Sequence, residues 1–82
     1  MPGKKRPPMQ RNQIILRLGA VIRECRVALD LTQEELAEKA DLSTNYIGNL
    51  ERGEQEPSVT ALVKVAAGLG ITASSLIAQA GY

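Results

Sequence analysis

LTQEELAEKADLSTNYIGNLERG, residues 31–53, is the stretch whose reading decides the fold. Thr32 followed three residues later by Glu35 is the pattern of a reciprocal helix N-cap, in which each side chain satisfies a free amide of the first turn. The helix it opens carries Leu36, Ala37 and Ala40 as apolar positions and breaks at Asp41-Leu42-Ser43 after roughly two turns. Ser43 can cap a further helix, which turns Ile47 and Leu50 inward and stops at Gly53. Helices this short are not stable alone, so both must dock on neighbours.

The neighbours lie on either side. Upstream, from about Asn12, Ile15, Leu18, Ile22, Cys25 and Leu29 recur at three- and four-residue steps and share one helical face, interrupted by Asp30-Leu31-Thr32. Downstream, Glu54-Gln55-Glu56-Pro57 reads as a polar loop, and Ser58 as the cap of a fourth helix with Val59, Leu62, Val63, Val65 and Ala66 apolar, ending near Gly68 to Gly70. Thr72 opens a short fifth helix holding Leu76 and Ile77 to about Ala80. There is no strand signal and no internal repeat. The expected fold is all-α: a compact five-helix bundle over residues 12–82, with a helix-turn-helix at 33–52.

Composition agrees. Eighty-two residues suffice for one domain. The chain is 44% hydrophobic but has no Phe and no Trp, and Tyr46 and Tyr82 are its only aromatics, so the core must be aliphatic. The single cysteine, Cys25, cannot form an internal disulfide; within an inward stripe it reads as a small hydrophobe rather than a reactive thiol. No apolar run follows the basic N-terminus, and none approaches the roughly 18 residues of a membrane span. A soluble protein of the reducing cytoplasm, with no membrane association, is expected.

The formal net charge of +1 conceals a division. Residues 1–11 hold Lys4, Lys5, Arg6 and Arg11, four of the ten basic side chains, whereas the remaining six share residues 12–82 with all nine acids. A mildly acidic body thus carries a basic arm, and that arm, rich in proline, is expected to be disordered. Lys4, Lys5 and Arg6 are of the kind that neutralise nucleic-acid phosphate, or else serve as a solubilising tail.

Opposite Ile47 and Leu50, the third helix shows Thr44, Asn45, Gly48, Asn49 and Arg52. A solvated helix face is ordinarily rich in Glu and Lys; this one gives up helix propensity, Gly48 alone costing roughly 1 kcal/mol relative to Ala. Amides can pair with adenine edges, and a hydroxyl can contact a base or the thymine methyl group. From these residues alone, a base-reading face and a merely polar surface are both open.

A wider pattern bears on the choice. The chain carries Ile22-Arg23-Glu24-Cys25-Arg26, Leu31 through Ala37, Leu42-Ser43, Tyr46-Ile47, Leu50-Glu51-Arg52-Gly53, Pro57-Ser58, and Ala66 through Leu69-Gly70-Ile71. In that combination, from Leu18 to Ile77, it resembles the Xre/Cro/phage-repressor family of bacterial helix-turn-helix regulators. The resemblance implies a lambda-repressor-like fold and binding of double-stranded DNA in the major groove. It implies base contacts from Thr44, Asn45 and Asn49, a phosphate contact from Gln33, and sugar-phosphate contacts from Ser43, Tyr46 and Arg52. Ala37 matches a position where a small side chain lets two helices cross, and Arg26 and Glu51 match a salt bridge found in parts of the family. Two departures stand out: Asp41 occupies a turn position commonly glycine, and Glu54 and Glu56 occupy a loop that is often basic, where they would oppose phosphate.

Members of the family usually bind palindromic operators as two-fold dimers; a homodimer interface is expected from Leu69, Ile71, Leu76, Ile77 and Tyr82. The chain stops soon after the fifth helix, so no small-molecule effector is expected within it. Cro-like phage regulators, restriction-modification controller proteins and antitoxin-type repressors all fit, and Tyr46-Ile47 and Glu51-Arg52-Gly53 resemble several controllers. An enzyme is disfavoured: there is no histidine, no metal-ligand cluster and no phosphate-binding glycine loop, so no catalytic residue, metal or cofactor is expected. Glu34, Glu35 and Glu38 read as a solvated face. The alternative is an antitoxin-type or other interaction module whose main partner is a protein, which the acidic body would suit.

Overall fold

The helix ends are set by side chains that satisfy free amides. In the computed structural model, which describes residues 9–82, five helices follow one another: α1 (Arg11–Ala28), α2 (Gln33–Ala40), α3 (Thr44–Glu51), α4 (Val59–Gly68) and α5 (Ala73–Gln79). Among the described residues there is no strand. The Thr32 hydroxyl accepts from the Glu35 amide at 3.0 Å, and the Glu35 carboxylate accepts from the Thr32 amide at 2.8 Å, completing the reciprocal cap. The backbone bond first, then the hydroxyl, holds the Glu35 carboxyl below its ordinary range. Ser43, Ser58 and Thr72 cap α3, α4 and α5 by the first half of that arrangement, each hydroxyl accepting from the amide three residues on (Tyr46, Ala61 and Ser75) with no side chain returning the bond. Asp41 adopts the left-handed conformation at φ 55°, ψ 49°, which Asp visits more readily than most residues, and so performs the turn without glycine. Asp30 does the same after α1, at φ 56°.

α1 begins at Arg11 rather than Asn12, so the expected arm loses its last cation to the helix, where it pairs with Glu56. Lys4, Lys5 and Arg6 lie outside the described residues.

The core is aliphatic: Leu18, Ile22, Leu36, Ile47, Leu50, Val65, Leu69 and Leu76 form one cluster. α2 packs on α3 and α4, α1 on α3 and α5, and α4 on α5. One member of the α1 stripe lies outside it, and two of the apolar residues of α4 are exposed. Leu29 is the residue after α1 and half exposed, because Asp30 reverses the chain there, and Val59 and Val63 point outward from α4. Two dimer assignments change for the opposite reason: Leu69 (5% exposed) and Leu76 (0%) are spent on the chain's own core and have no surface to offer a partner. Cys25 is half-buried, with Sγ 3.4 Å from Gln79 Oε1; burial, and then Glu24, push its thiol up, so it stays protonated. Arg17 ties α1 to the end of α5 by donating to the Ala80 carbonyl at 3.0 Å and lying over the Tyr82 ring. Among the described residues, no single helix is long and apolar enough to cross a membrane.

One crossing had no signal in the apolar pattern. At Gly19 the backbones of α1 and α3 touch: a Cβ there would lie 2.1 Å from the Leu50 carbonyl oxygen. Gly19→Ala is therefore expected to force the two helices apart and lower stability by about 1–3 kcal/mol, read as a fall in the urea midpoint. An unchanged midpoint would show that the crossing has slack.

Candidate nucleic-acid interface

α3 is held in place from below. Glu51, its last residue, is buried, and its carboxylate receives three donors from two other helices. Arg26 of α1 donates from Nε to Oε2 at 2.7 Å and from Nη2 to Oε1 at 3.0 Å. Gln33 of α2 donates from Nε2 to Oε1 at 3.0 Å. The third arm of the Arg26 fork, Nη1, donates to the Leu31 carbonyl at 2.7 Å, which fixes the chain entering α2. The two charged side chains are 12% and 2% exposed, so the pair is shielded from water. The hydrogen bonds to Glu51 make Arg26 hold its proton even more tightly than usual. A fork-to-carboxylate pair of this kind fixes orientation as well as distance.

Above that clamp, α3 shows a polar face. Thr44 and Asn45 are exposed at its first turn, Asn49 is half-buried one turn later, and Arg52 is exposed at its end. Gly48, expected among the exposed positions, is instead buried: the Arg52 guanidinium covers it, and a Cβ there would lie 3.0 Å from Nη1. Arg52 Nη2 donates to Asn49 Oδ1 at 2.6 Å, and Nε donates to Glu54 Oε1 at 3.0 Å. The two acids expected to oppose phosphate are thus each paired, Glu54 with Arg52 and Glu56 with Arg11. Glu56 is turned towards a groove bounded by α1 and α5, which no residue of α2 or α3 lines.

Gln33, read as a phosphate contact, uses one of its amide protons inside the protein; a primary amide has a second to offer. Ser43 accepts from the Tyr46 amide at 3.0 Å, which leaves its hydroxyl proton available. Tyr46 and Ser43 share a shallow depression with Ser58 and Thr60 at the start of α4 and Lys64 at its middle. Sequence reading missed Lys64, which lies 3.5 Å from Asp41. Its only signal was that it is the single cation in the otherwise uncharged run VTALVKVAAG. Among the described residues, no cluster of His, Cys, Asp or Glu could hold a metal ion.

Two short capped helices, the second clamped to the first and presenting amides, hydroxyls and a guanidinium, define a helix-turn-helix module for DNA. Residues 22–76 match the family described as Helix-turn-helix, and the chain belongs to this family of DNA-binding transcription regulators, in its Xre/Cro branch. The immunity repressor protein of Bacillus phage phi105 is 40% identical over 62 residues, covering 76% of this chain but only 43% of the repressor, so the chain spans less than half of that relative. Control protein C.MunI of a Mycoplasma species is 38% identical over 69 residues, covering 83% of this chain and 93% of that protein. In structure, the restriction-modification controller protein C.AhdI of Aeromonas hydrophila superposes with a TM-score of 0.74 at 35% identity, covering 76% of this chain and 94% of that one.

The clamp makes a sharp energetic expectation. Removing one partner leaves a buried charge uncompensated, so Arg26→Met or Glu51→Leu alone should cost about 3–5 kcal/mol. The double variant Arg26→Met/Glu51→Leu should cost less than either single one, because no charge is then stranded. Denaturant unfolding of the three variants measures this; additive losses would mean that the pair is not desolvated as described.

Proposed function

We propose that this chain acts as a homodimeric regulator that reads a palindromic operator by laying α3 in the major groove, in the manner of a restriction-modification controller. The observation that carries the reading is the exposed face of α3 held on a buried three-helix clamp. Rigid presentation favours base reading, because groups already oriented need little ordering on binding.

In this reading Thr44, Asn45 and Asn49 contact base edges. Ser43 donates its free hydroxyl proton to a phosphate oxygen, with Tyr46 and Lys64 beside it. Gln33 offers its second amide proton at the start of α2, where the helix dipole favours an anion. Arg52 reaches phosphate through Nη1 while its other nitrogens stay engaged. Such contacts set the register and carry no sequence information of their own. The controller reading is supported by similarity to C.MunI and C.AhdI over nearly their whole lengths. Similarity to DNA-binding regulators supports reading the chain as a binding protein rather than an enzyme.

For the dimer, Ile77 and Tyr82 remain from the expected interface as exposed apolar residues, with Ile71 half-buried. Ile77 and Tyr82 line a groove of about 380 Å³ with Ile14, Ile15, Leu18 and Leu62. A second copy seated there leaves the reading helix uncovered.

Selection of bound duplexes from a random library tests the reading face. Thr44→Ala, Asn45→Ala or Asn49→Ala should each relax preference at particular base pairs, by about 1–3 kcal/mol. Gln33→Ala should instead weaken all sequences alike. An Asn45→Ala/Asn49→Ala variant with unchanged preference would remove α3 from the reading role. Sedimentation equilibrium tests the dimer: the protein should be dimeric at micromolar concentration, and Ile77→Asp should make it monomeric while leaving the helix content intact. A monomer with and without operator DNA would refute the dimer.

A further inference from the structure

Four residues around the end of α3, Gly48, Asn49, Arg52 and Glu54, are arranged in a way that the reading face by itself does not require. Arg52 lies across Gly48, where any side chain would crowd it, and is gripped from both sides, by Asn49 Oδ1 at 2.6 Å and by Glu54 Oε1 at 3.0 Å. Glycine within α3 costs helix stability, and here it opens the seat that the guanidinium occupies. The Asn49 amide is thereby oriented. Its oxygen is engaged by a charged donor, and its NH₂ group is the end left to meet a ligand.

We propose that Arg52 sets which base Asn49 reads, converting it from an adenine reader to a guanine reader. An unconstrained Asn recognises adenine with both ends of its amide, the oxygen accepting from N6 and the nitrogen donating to N7. Here the oxygen already carries a charge-assisted bond, which is among the stronger hydrogen bonds a neutral amide can accept. A second donor, adenine N6–H, would have to approach that oxygen beside a cation. Guanine presents O6 and N7, both acceptors, and these match the free NH₂ of Asn49 and the positive potential of the guanidinium behind it. Glu54 is part of the device: it holds the Arg52 fork from the far side, so the guanidinium stays on Gly48 rather than swinging to solvent. The inference rests on α3 being the reading helix and adds the identity of one base pair and the residue that chooses it.

The experiment is duplex selection from a random library with the full chain and with its Asn49→Ala, Arg52→Ala and Gly48→Ala variants, each first checked for cooperative thermal unfolding. The base pair whose preference disappears in Asn49→Ala should be G·C in the unmodified protein. Its preference for guanine over adenine should fall by about tenfold in Arg52→Ala, beyond the general loss of affinity that a lost phosphate contact causes. Gly48→Ala, which keeps every polar group but crowds the guanidinium with a Cβ 3.0 Å from Nη1, should weaken the preference at the same base pair and at no other. An A·T pair at that position in the unmodified protein would overturn the proposal, and so would a guanine preference that survives both Arg52→Ala and Gly48→Ala. If instead Asn49→Ala alters no position at all, the reading role of Asn49 fails first and the proposal with it.

Discussion

The structure depends on one buried carboxylate. Glu51 ends α3, and the guanidinium of Arg26 and the amide of Gln33 converge on it from α1 and α2. Hydrophobic packing is non-directional, so Ile47 and Leu50 pressed into the core could tolerate some rotation of α3 about its axis. The fork on Glu51 cannot. Taking both charges out of water offsets much of their attraction, so the pair is better understood as fixing the angle of α3 than as adding stability. Every position on the opposite face takes its direction from that angle.

The short loops do related work. Asp41 in the left-handed region turns the chain between α2 and α3, and the Ser43 hydroxyl receives the Tyr46 amide at the start of α3. The backbone contact at Gly19 sets how closely α1 approaches α3 and so brings Arg26 within reach of Glu51. A helix of eight residues would fray by itself; here both ends are tied and one face is packed. The charge on the surface is organised in the same spirit. Glu54 and Glu56 are each held by an arginine, so the loop after α3 carries two paired acids rather than two free ones.

Much of the fold was legible because its signals are local. Caps at Thr32, Ser43, Ser58 and Thr72, and the apolar spacing in α1, marked the helices nearly to the residue. Periodicity cannot tell which apolar residues a chain can actually cover: it failed at Leu29, and at Val59 and Val63 apolar character alone did not show that a small bundle leaves the side chain outside. For the same reason Leu69 and Leu76 looked available for a partner although they are needed inside. At the site, the residue types were readable and their pairings were not. Asn49, Arg52 and Glu54 stand close in sequence, yet nothing in their spacing shows that the guanidinium lies over Gly48 rather than in solvent. Gln33 looked like a free polar end, because its partner is 18 residues away.

The claim at the centre of this account is that α3, held by the clamp, enters the major groove. Methylation interference on a selected duplex tests it most directly, since methyl groups on guanine N7 and adenine N3 mark opposite grooves. The account predicts that N7 methylation within each half-site blocks binding, and that Asn49→Ala abolishes the block at one position. Interference confined to adenine N3, with every N7 methyl tolerated, would contradict it.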